Sequence, residues 1–322
     1  MSNVLPSVYP ARAAERDAWI LSRRPGRENR DPYLPYEYFV EEEYSTAGVA
    51  EPVATIFLTN RECPFRCLMC DLWRNTLTET VPAGAIPAQI DHALLNLPPA
   101  RQLKLYNSGS FFDPRAIPPE DYAAIAQRAN RFERLIVENH PALIGDACLR
   151  FRDLLDGGFE IAMGLETVHK QVLAGLNKRM TLDQFSTAAG FLQRNGIDLR
   201  IFILVQPPLM PAEEALAWAE RSLEFAMQHG ATAVTLIPTR AGNGAMEALM
   251  ASGQFAHPDL HTLESAMEYG LRLKAGRVFA DLWGLRESCA NCHAQRAARL
   301  RQMNLQQTVL DRIPCDRCGG AS

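Results

Sequence analysis

Asn60-Arg61-Glu62-Cys63-Pro64-Phe65-Arg66-Cys67-Leu68-Met69-Cys70-Asp71-Leu72-Trp73 follows almost directly on the apolar run 53–58. That run is short and flanked by polar residues, and it predicts a buried strand. The stretch after it puts three cysteines on one loop with the spacing C-x3-C-x2-C. Three thiolates, with no obvious fourth in the loop, fall short of the four ligands that close a structural zinc site. They suit a [4Fe–4S] cluster in which three cysteines leave one iron open to an exogenous ligand. A zinc site borrowing a distant histidine, or three unrelated buried cysteines, are the plainer alternatives.

Working outward, the loop heads a β/α series. Strand-like runs at 53–58, 102–106, 135–138, 159–163, 199–205 and 232–237 alternate with helix-like segments at 87–97, 119–132, 146–155, 181–195 and 211–229. Pro119 opens one helix, and Thr181 caps another that stops at Gly196. Glu213 and Glu214 fill the first turn of a third, with Gly230 past its end. No Asn-Gly between alternating runs signals an antiparallel hairpin. Short apolar strands separated by amphipathic helices imply a parallel sheet covered by helices. Right-handed crossovers leave an open doubly wound sheet or a curved barrel, with the working surface at the C-terminal ends of the strands. Residues 1–50, rich in Arg, Pro and Tyr, read as an irregular or short helical extension, and 51–255 as the core. Residues 256–322 form a C-terminal extension with a helix at 260–274, a strand at 278–283 and four cysteines.

The 322 residues are 47% hydrophobic and 22% charged with a net charge of −4, which excludes fibrous and disordered classes and any global pull toward nucleic acid. No stretch reaches the ~20 apolar residues that span a bilayer. Met1-Ser2-Asn3-Val4-Leu5-Pro6 lacks the layout of a secretory leader, so a cytoplasmic location is expected. Of eight cysteines, seven fall in three tight groups, and such groups in a reducing compartment read as metal ligands. Cys148, alone in an apolar stretch, reads as a small buried hydrophobe.

On the cysteine loop and its place after the first strand of a β/α series, the chain resembles the radical S-adenosylmethionine (SAM) superfamily. The resemblance implies an α/β fold, a (β/α)6 partial TIM barrel with a small Cys-rich C-terminal extension. It implies Cys63, Cys67 and Cys70 as the catalytic ligands of a [4Fe–4S] cluster whose open iron is chelated by the amine and carboxylate of SAM. Reductive cleavage then yields a 5′-deoxyadenosyl radical that abstracts hydrogen from substrate. The residue before the third cysteine is usually aromatic; here Met69 would cover the cluster. Asn107-Ser108-Gly109-Ser110 takes the place of a Gly-Gly-Glu-like loop that receives the SAM amine; alone it reads as a Gly/Ser turn.

Val137-Glu138-Asn139-His140-Pro141 resembles the Glu-x-Arg-Pro segment of the Elongator catalytic subunit and archaeosine-type radical SAM proteins, with His140 replacing arginine and Glu138 implied at the cofactor. In Elongator and methylthiotransferase cores a polar residue binds the SAM ribose and a cation twelve residues on meets its carboxylate. Glu166 and Lys178 have that separation, with Arg179 as substitute; without the cysteine loop they read as a solvated pair. The 200–208 strand and the Glu213-Glu214-Ala215 helix resemble the archaeosine-synthase radical SAM subunit group. Implied partners are an electron donor of flavodoxin or ferredoxin type and a tRNA whose nucleoside is modified. A small metabolite is the runner-up substrate, and a non-catalytic iron–sulfur or zinc protein is a different class of reading.

A second constellation, Cys289, Cys292, Cys315 and Cys318, has the spacing C-x2-C-x22-C-x2-C. It suits structural zinc or a fully ligated auxiliary [4Fe–4S] cluster, and the spacing does not decide. Between the knuckles Arg296, Arg299, Arg301 and Arg312 read as a basic face, the solvated side of a helix or a contact for RNA phosphates. Asp113 reads as a turn cap and His140 as a satisfied histidine. Arg200 lies on a strand face that parity does not reveal, and is a weak catalytic candidate.

Overall fold

A computed structural model describes residues 7–318. Residues 1–6, on which the leader reading rests, lie outside it. Eight strands form one sheet in sequence order: β1 Glu37–Tyr44, β2 Ala50–Phe57, β3 Gln102–Tyr106, β4 Arg134–Glu138, β5 Gly158–Glu166, β6 Asp198–Val205, β7 Ala231–Pro238 and β8 Arg277–Ala280. The helices are α1 Ala13–Leu21, α2 Ala85–Asn96, α3 Tyr122–Ala129, α4 Asp146–Arg152, α5 Lys170–Gly175, α6 Leu182–Arg194, α7 Ala215–Gln228, α8 Ala245–Ala251, α9 Leu260–Leu273 and α10 His293–Gln306. Strands β2 to β8 run parallel, and the architecture is an α/β partial barrel. The sheet takes β1 from the first fifty residues and β8 from the C-terminal extension. Among the described residues no helix is long and apolar enough to cross a membrane.

Local chemistry explains the boundaries. The Thr181 side chain accepts from the Gln184 N–H while the Gln184 side chain accepts from the Thr181 N–H, a reciprocal cap that starts α6; Gly196, at φ 65°, lets the chain leave it. The outward faces of the strands, Ile56, Leu103, Leu105, Val137, Ile161, Ile201 and Ile203 among them, are fully buried under the helices. Each contributes about 1.5–3 kcal/mol of apolar burial.

Three expectations are corrected. The first fifty residues are more than an irregular or helical extension: β1 pairs antiparallel with β2 through a hairpin. Its turn is made by Ser45, whose Oγ accepts from the Ala47 N–H at 3.2 Å, and by Gly48 at φ 81°. No Asn-Gly is needed, so the usual hairpin signal is missing.

Arg200 is not catalytic. It points into the barrel, 2% exposed, toward the N-terminal ends of the strands. It donates to both Glu43 oxygens at 2.6 and 3.1 Å and to Glu160 Oε1 at 2.6 Å. Lys104 Nζ adds bonds to Glu43 at 2.6 Å and Glu41 at 3.0 Å, and Arg277 reaches Glu160 Oε2 at 3.0 Å. Burial alone would raise the Glu43 pKa, but Arg200 and Lys104 overcome it and hold the carboxyl well below the usual range. This ionic layer is the floor of the barrel.

Of the arginines between the cysteine knuckles Arg301 is exposed, but the other three are drawn into ion pairs and no continuous basic face forms. Arg296 and Arg299 are buried. Arg296 Nε donates to Glu264 at 3.0 Å, Arg299 Nη2 to Glu268 at 2.7 Å and Arg312 Nε to Glu268 at 3.0 Å.

Candidate active site

The loops after the parallel strands converge at the opposite end of the barrel from the ionic floor. The cysteine loop after β2 is held from several sides. The Leu68 N–H donates to the Leu176 carbonyl at 2.9 Å. The Asn243 carboxamide donates to the Leu68 and Cys70 carbonyls at 2.8 and 3.1 Å, and that of Asn177 to the Arg66 carbonyl at 2.8 Å. Glu62 accepts from Arg24 and Arg27 at 2.6 and 2.5 Å, which ties the loop to the N-terminal segment. Sequence reasoning missed Glu62, Asn177 and Asn243, whose partners are carbonyls and side chains that no local pattern reveals. Met69, partly buried, packs in the cluster of Val172, Leu176, Leu204 and Met210.

Cys63, Cys67 and Cys70 are reduced and partly exposed. Burial of the thiols pushes each pKa up to about 12, with Lys178 opposing it at Cys63 and Cys67. All three come from the one loop between β2 and α2. Three thiolates are one short of a closed zinc site and match a cluster with one iron left open.

The 107–110 loop is shaped by the end of β4. Glu138, half-buried, accepts from the Asn107 N–H at 2.7 Å and the Gly109 N–H at 3.4 Å, and desolvation raises its pKa. Its carboxylate therefore organises the loop. Gly109 approaches the cysteine loop so closely that an added Cβ would sit 3.2 Å from the Cys63 Cβ. Ser108 is held at φ 51° with its hydroxyl 3.0 Å from Tyr36 Oη. The Asn107 carboxamide is buried with no partner on either its oxygen or its nitrogen. Such an orphan beside the cysteines fits a polar ligand there.

His140 is the satisfied histidine expected. Its Nδ1 accepts from the Ala142 N–H at 3.1 Å, so Nε2 carries the hydrogen and donates to the Lys178 carbonyl at 3.0 Å. Burial, with Lys178 nearby, lowers its pKa to about 3, and the neutral ring stacks on Phe65 of the cysteine loop at 3.8 Å. Asp113 caps its turn, accepting from the Arg115 N–H at 3.0 Å.

Glu166 and Lys178 meet inside the site. A bulge between Gly164 and Glu166 and a φ of 66° turn the Glu166 carboxylate inward, and Lys178 Nζ donates to it at 2.6 Å. Both residues are buried. Burial alone would lower the Lys178 pKa, yet Glu166 and the Cys67 and Cys63 thiols raise it, so the ammonium stays charged. Arg179 is not brought in: it pairs with Asp17 of α1. Left-handed conformations also occur at Asn177, Arg179, Gln206 and Leu209, at φ 55°, 57°, 54° and 69°; with Ser108 and Glu166 they ring the same mouth, where such strain is usually kept for function. Gly164 leaves the room that the pair needs, since an added Cβ would overlap both the carboxylate and the ammonium. Gly164→Ala is expected to cost about 1–3 kcal/mol by overpacking. An unchanged urea midpoint would show that the pair does not occupy this position.

Between mouth and floor the wall is aromatic. Phe57 contacts Tyr36, Tyr106 and Trp283 at ring separations of 5.5, 6.0 and 6.1 Å, and Tyr106 faces Phe202 at 6.2 Å.

Two solved structures share this arrangement of strands and helices. Methylornithine synthase, at 12% identity, covers 80% of this chain and 82% of its own with a TM-score of 0.53. A radical SAM methyltransferase from Sphaerobacter thermophilus, at 14% identity, covers 85% and 82% with a TM-score of 0.54. The chain has the radical SAM fold. No protein-family model matches it. Among curated proteins, archaeosine synthase subunit beta of Methanosarcina acetivorans is 25% identical over 290 residues, 84% of this chain and 83% of that one. The protein of the same name from Thermococcus kodakarensis is 25% identical over 127 residues, 38% and 39% of the two chains.

Within a radical SAM fold the residues present fit the cofactors. Cys63, Cys67 and Cys70 would hold a [4Fe–4S] cluster, which would supply one-electron redox chemistry there. The chain's own residues hold the cysteine loop rigid through Asn177, Asn243 and Glu62, keep a cation at Lys178 beside it, and present the unpartnered Asn107 amide.

Proposed function

We propose that the chain is a radical SAM enzyme: it reductively cleaves S-adenosylmethionine and uses the 5′-deoxyadenosyl radical to abstract hydrogen from a nucleoside of tRNA. The observation that carries the reading is the trio of cysteines on one loop at the barrel mouth beside a buried Glu166–Lys178 pair. In this reading Lys178 meets the SAM carboxylate and Glu166 accepts from the ribose hydroxyls, the pairing that suits a cation and a carboxylate. The 107–110 loop receives the amine. An electron donor of flavodoxin or ferredoxin type supplies the reductant.

Two observations support a nucleoside as the target. The relatives that match along most of the chain include an archaeosine synthase subunit. The aromatic wall of Phe57, Tyr106, Phe202 and Trp283 suits a planar base.

The test is anaerobic incubation of the reconstituted protein with dithionite, SAM and unfractionated tRNA. Formation of 5′-deoxyadenosine is expected to rise when tRNA is added, and tRNA binding is expected to weaken steeply with salt. Cleavage unaffected by tRNA, with binding absent or insensitive to salt, would replace the nucleoside by a small metabolite. A stable cluster with no cleavage under any condition would mean a non-catalytic iron–sulfur protein.

A further inference from the structure

The four C-terminal cysteines lie far from any role assigned above, and their geometry distinguishes the two metals that spacing left open. The sulfurs of Cys289, Cys292, Cys315 and Cys318 all fall within 4.8 Å of one another. The Cys289–Cys315 pair is at 3.9 Å and the Cys292–Cys318 pair at 3.5 Å, too far apart for disulfides. A tetrahedron with zinc–sulfur arms of about 2.3 Å has edges of about 3.8 Å. In a [4Fe–4S] cluster each thiolate sits on its own iron outside the cubane, so four sulfurs gathered this closely leave no space for one. The first knuckle is a tight turn, in which the Cys292 and His293 N–H groups donate to the Cys289 carbonyl at 3.3 and 2.9 Å. The two C-x2-C segments face each other across the gathered sulfurs.

The surroundings show what such an ion would hold. Cys292 stands at the start of α10. At the other end of that helix, Asn304 exchanges two hydrogen bonds with the Ala280 backbone at 2.8 and 2.9 Å, and Gln307 two with that of Val278 at 2.7 and 2.9 Å. These carboxamides do for the outer edge of β8 what a neighbouring strand would do. The segment after α10 returns along it, with the Leu310 carbonyl accepting from Arg299 Nη2 at 2.6 Å, and ends at the second knuckle.

We propose that Cys289, Cys292, Cys315 and Cys318 bind a single zinc ion, which clasps the returning segment to α10 and so keeps the helix on the open edge of the barrel. The inference does not depend on the reaction proposed above.

The experiment uses the full chain with Cys63, Cys67 and Cys70 all replaced by alanine, so that any metal belongs to the tail. Elemental analysis is expected to find one zinc per chain and neither iron nor acid-labile sulfide. Iron with sulfide, or a folded chain holding no metal, overturns the proposal. Should the triple variant not fold, zinc-edge X-ray absorption on the wild-type chain asks the same question: four sulfur neighbours at about 2.3 Å are expected, and nitrogen or oxygen neighbours overturn it. For the clasp, Cys289→Ser with Cys315→Ser is expected to lose the zinc and to speed amide exchange in α10 by on the order of tenfold or more. Loss of zinc with unchanged exchange in α10 removes the clasp.

Discussion

Replacing Cys67 by alanine is expected to bring formation of 5′-deoxyadenosine to background. Cys67 sits between the other two cysteines in sequence, and Lys178 lies close enough to oppose the effect of burial on its thiol. Two remaining thiolates do not complete the set that leaves one iron open, and the cluster that supplies the electron is lost. The loop itself is expected to stay in place, since its anchors are backbone carbonyls of Arg66, Leu68 and Cys70 held by Asn177 and Asn243. The variant should therefore unfold at nearly the wild-type urea concentration while its iron content and product both vanish. Product formation at the wild-type rate in a chain without Cys67 would remove the three-cysteine reading altogether.

The largest expected effect on stability comes from Arg200→Met. The guanidinium is buried between Glu43 and Glu160, and removing it leaves these two carboxylates with Lys104, Arg277 and the more distant Arg134 as nearby cations. Breaking a buried pair from one side costs about 3–5 kcal/mol. The pH dependence gives a second readout. In the wild type Glu43 and Glu160 are held below the ordinary carboxylate range, so their contribution is present above about pH 4.3 and is lost as pH falls through the lowered folded values. Without Arg200 the burial of both carboxyls acts in the other direction and raises their affinity for protons. The deficit of the variant should then shrink as the pH is brought from 7 toward 4.5. A deficit that is constant across that range in urea titrations would mean that Arg200 acts through packing alone.

Much of the architecture was legible because parallel strands buried on both sides and amphipathic helices leave strong local patterns. The Thr181 cap, the Gly196 stop and the strand at 102–106 stand where chain-local chemistry puts them. β1 was not legible, because it carries a run of glutamates, one of which, Glu43, is buried against Lys104 and Arg200, and an acidic run does not look like a strand. The arginines of α10 misled for the same reason: Arg296 and Arg299 look solvated until Glu264 and Glu268 of α9 are placed against them.

At the site, the cysteine spacing and the twelve-residue interval from Glu166 to Lys178 are properties of the chain alone. Which cation enters the site is a tertiary matter. Lys178 points in and Arg179 out to Asp17 because α1 supplies the competing carboxylate, and α1 is distant in sequence. The sequence by itself determined which sulfurs could act together, for covalent connection limits how far neighbouring ligands can stray. Only the tertiary structure decided that the two C-terminal knuckles close on each other tightly enough to surround one ion, because that distance depends on the segment after α10 being packed back along the helix.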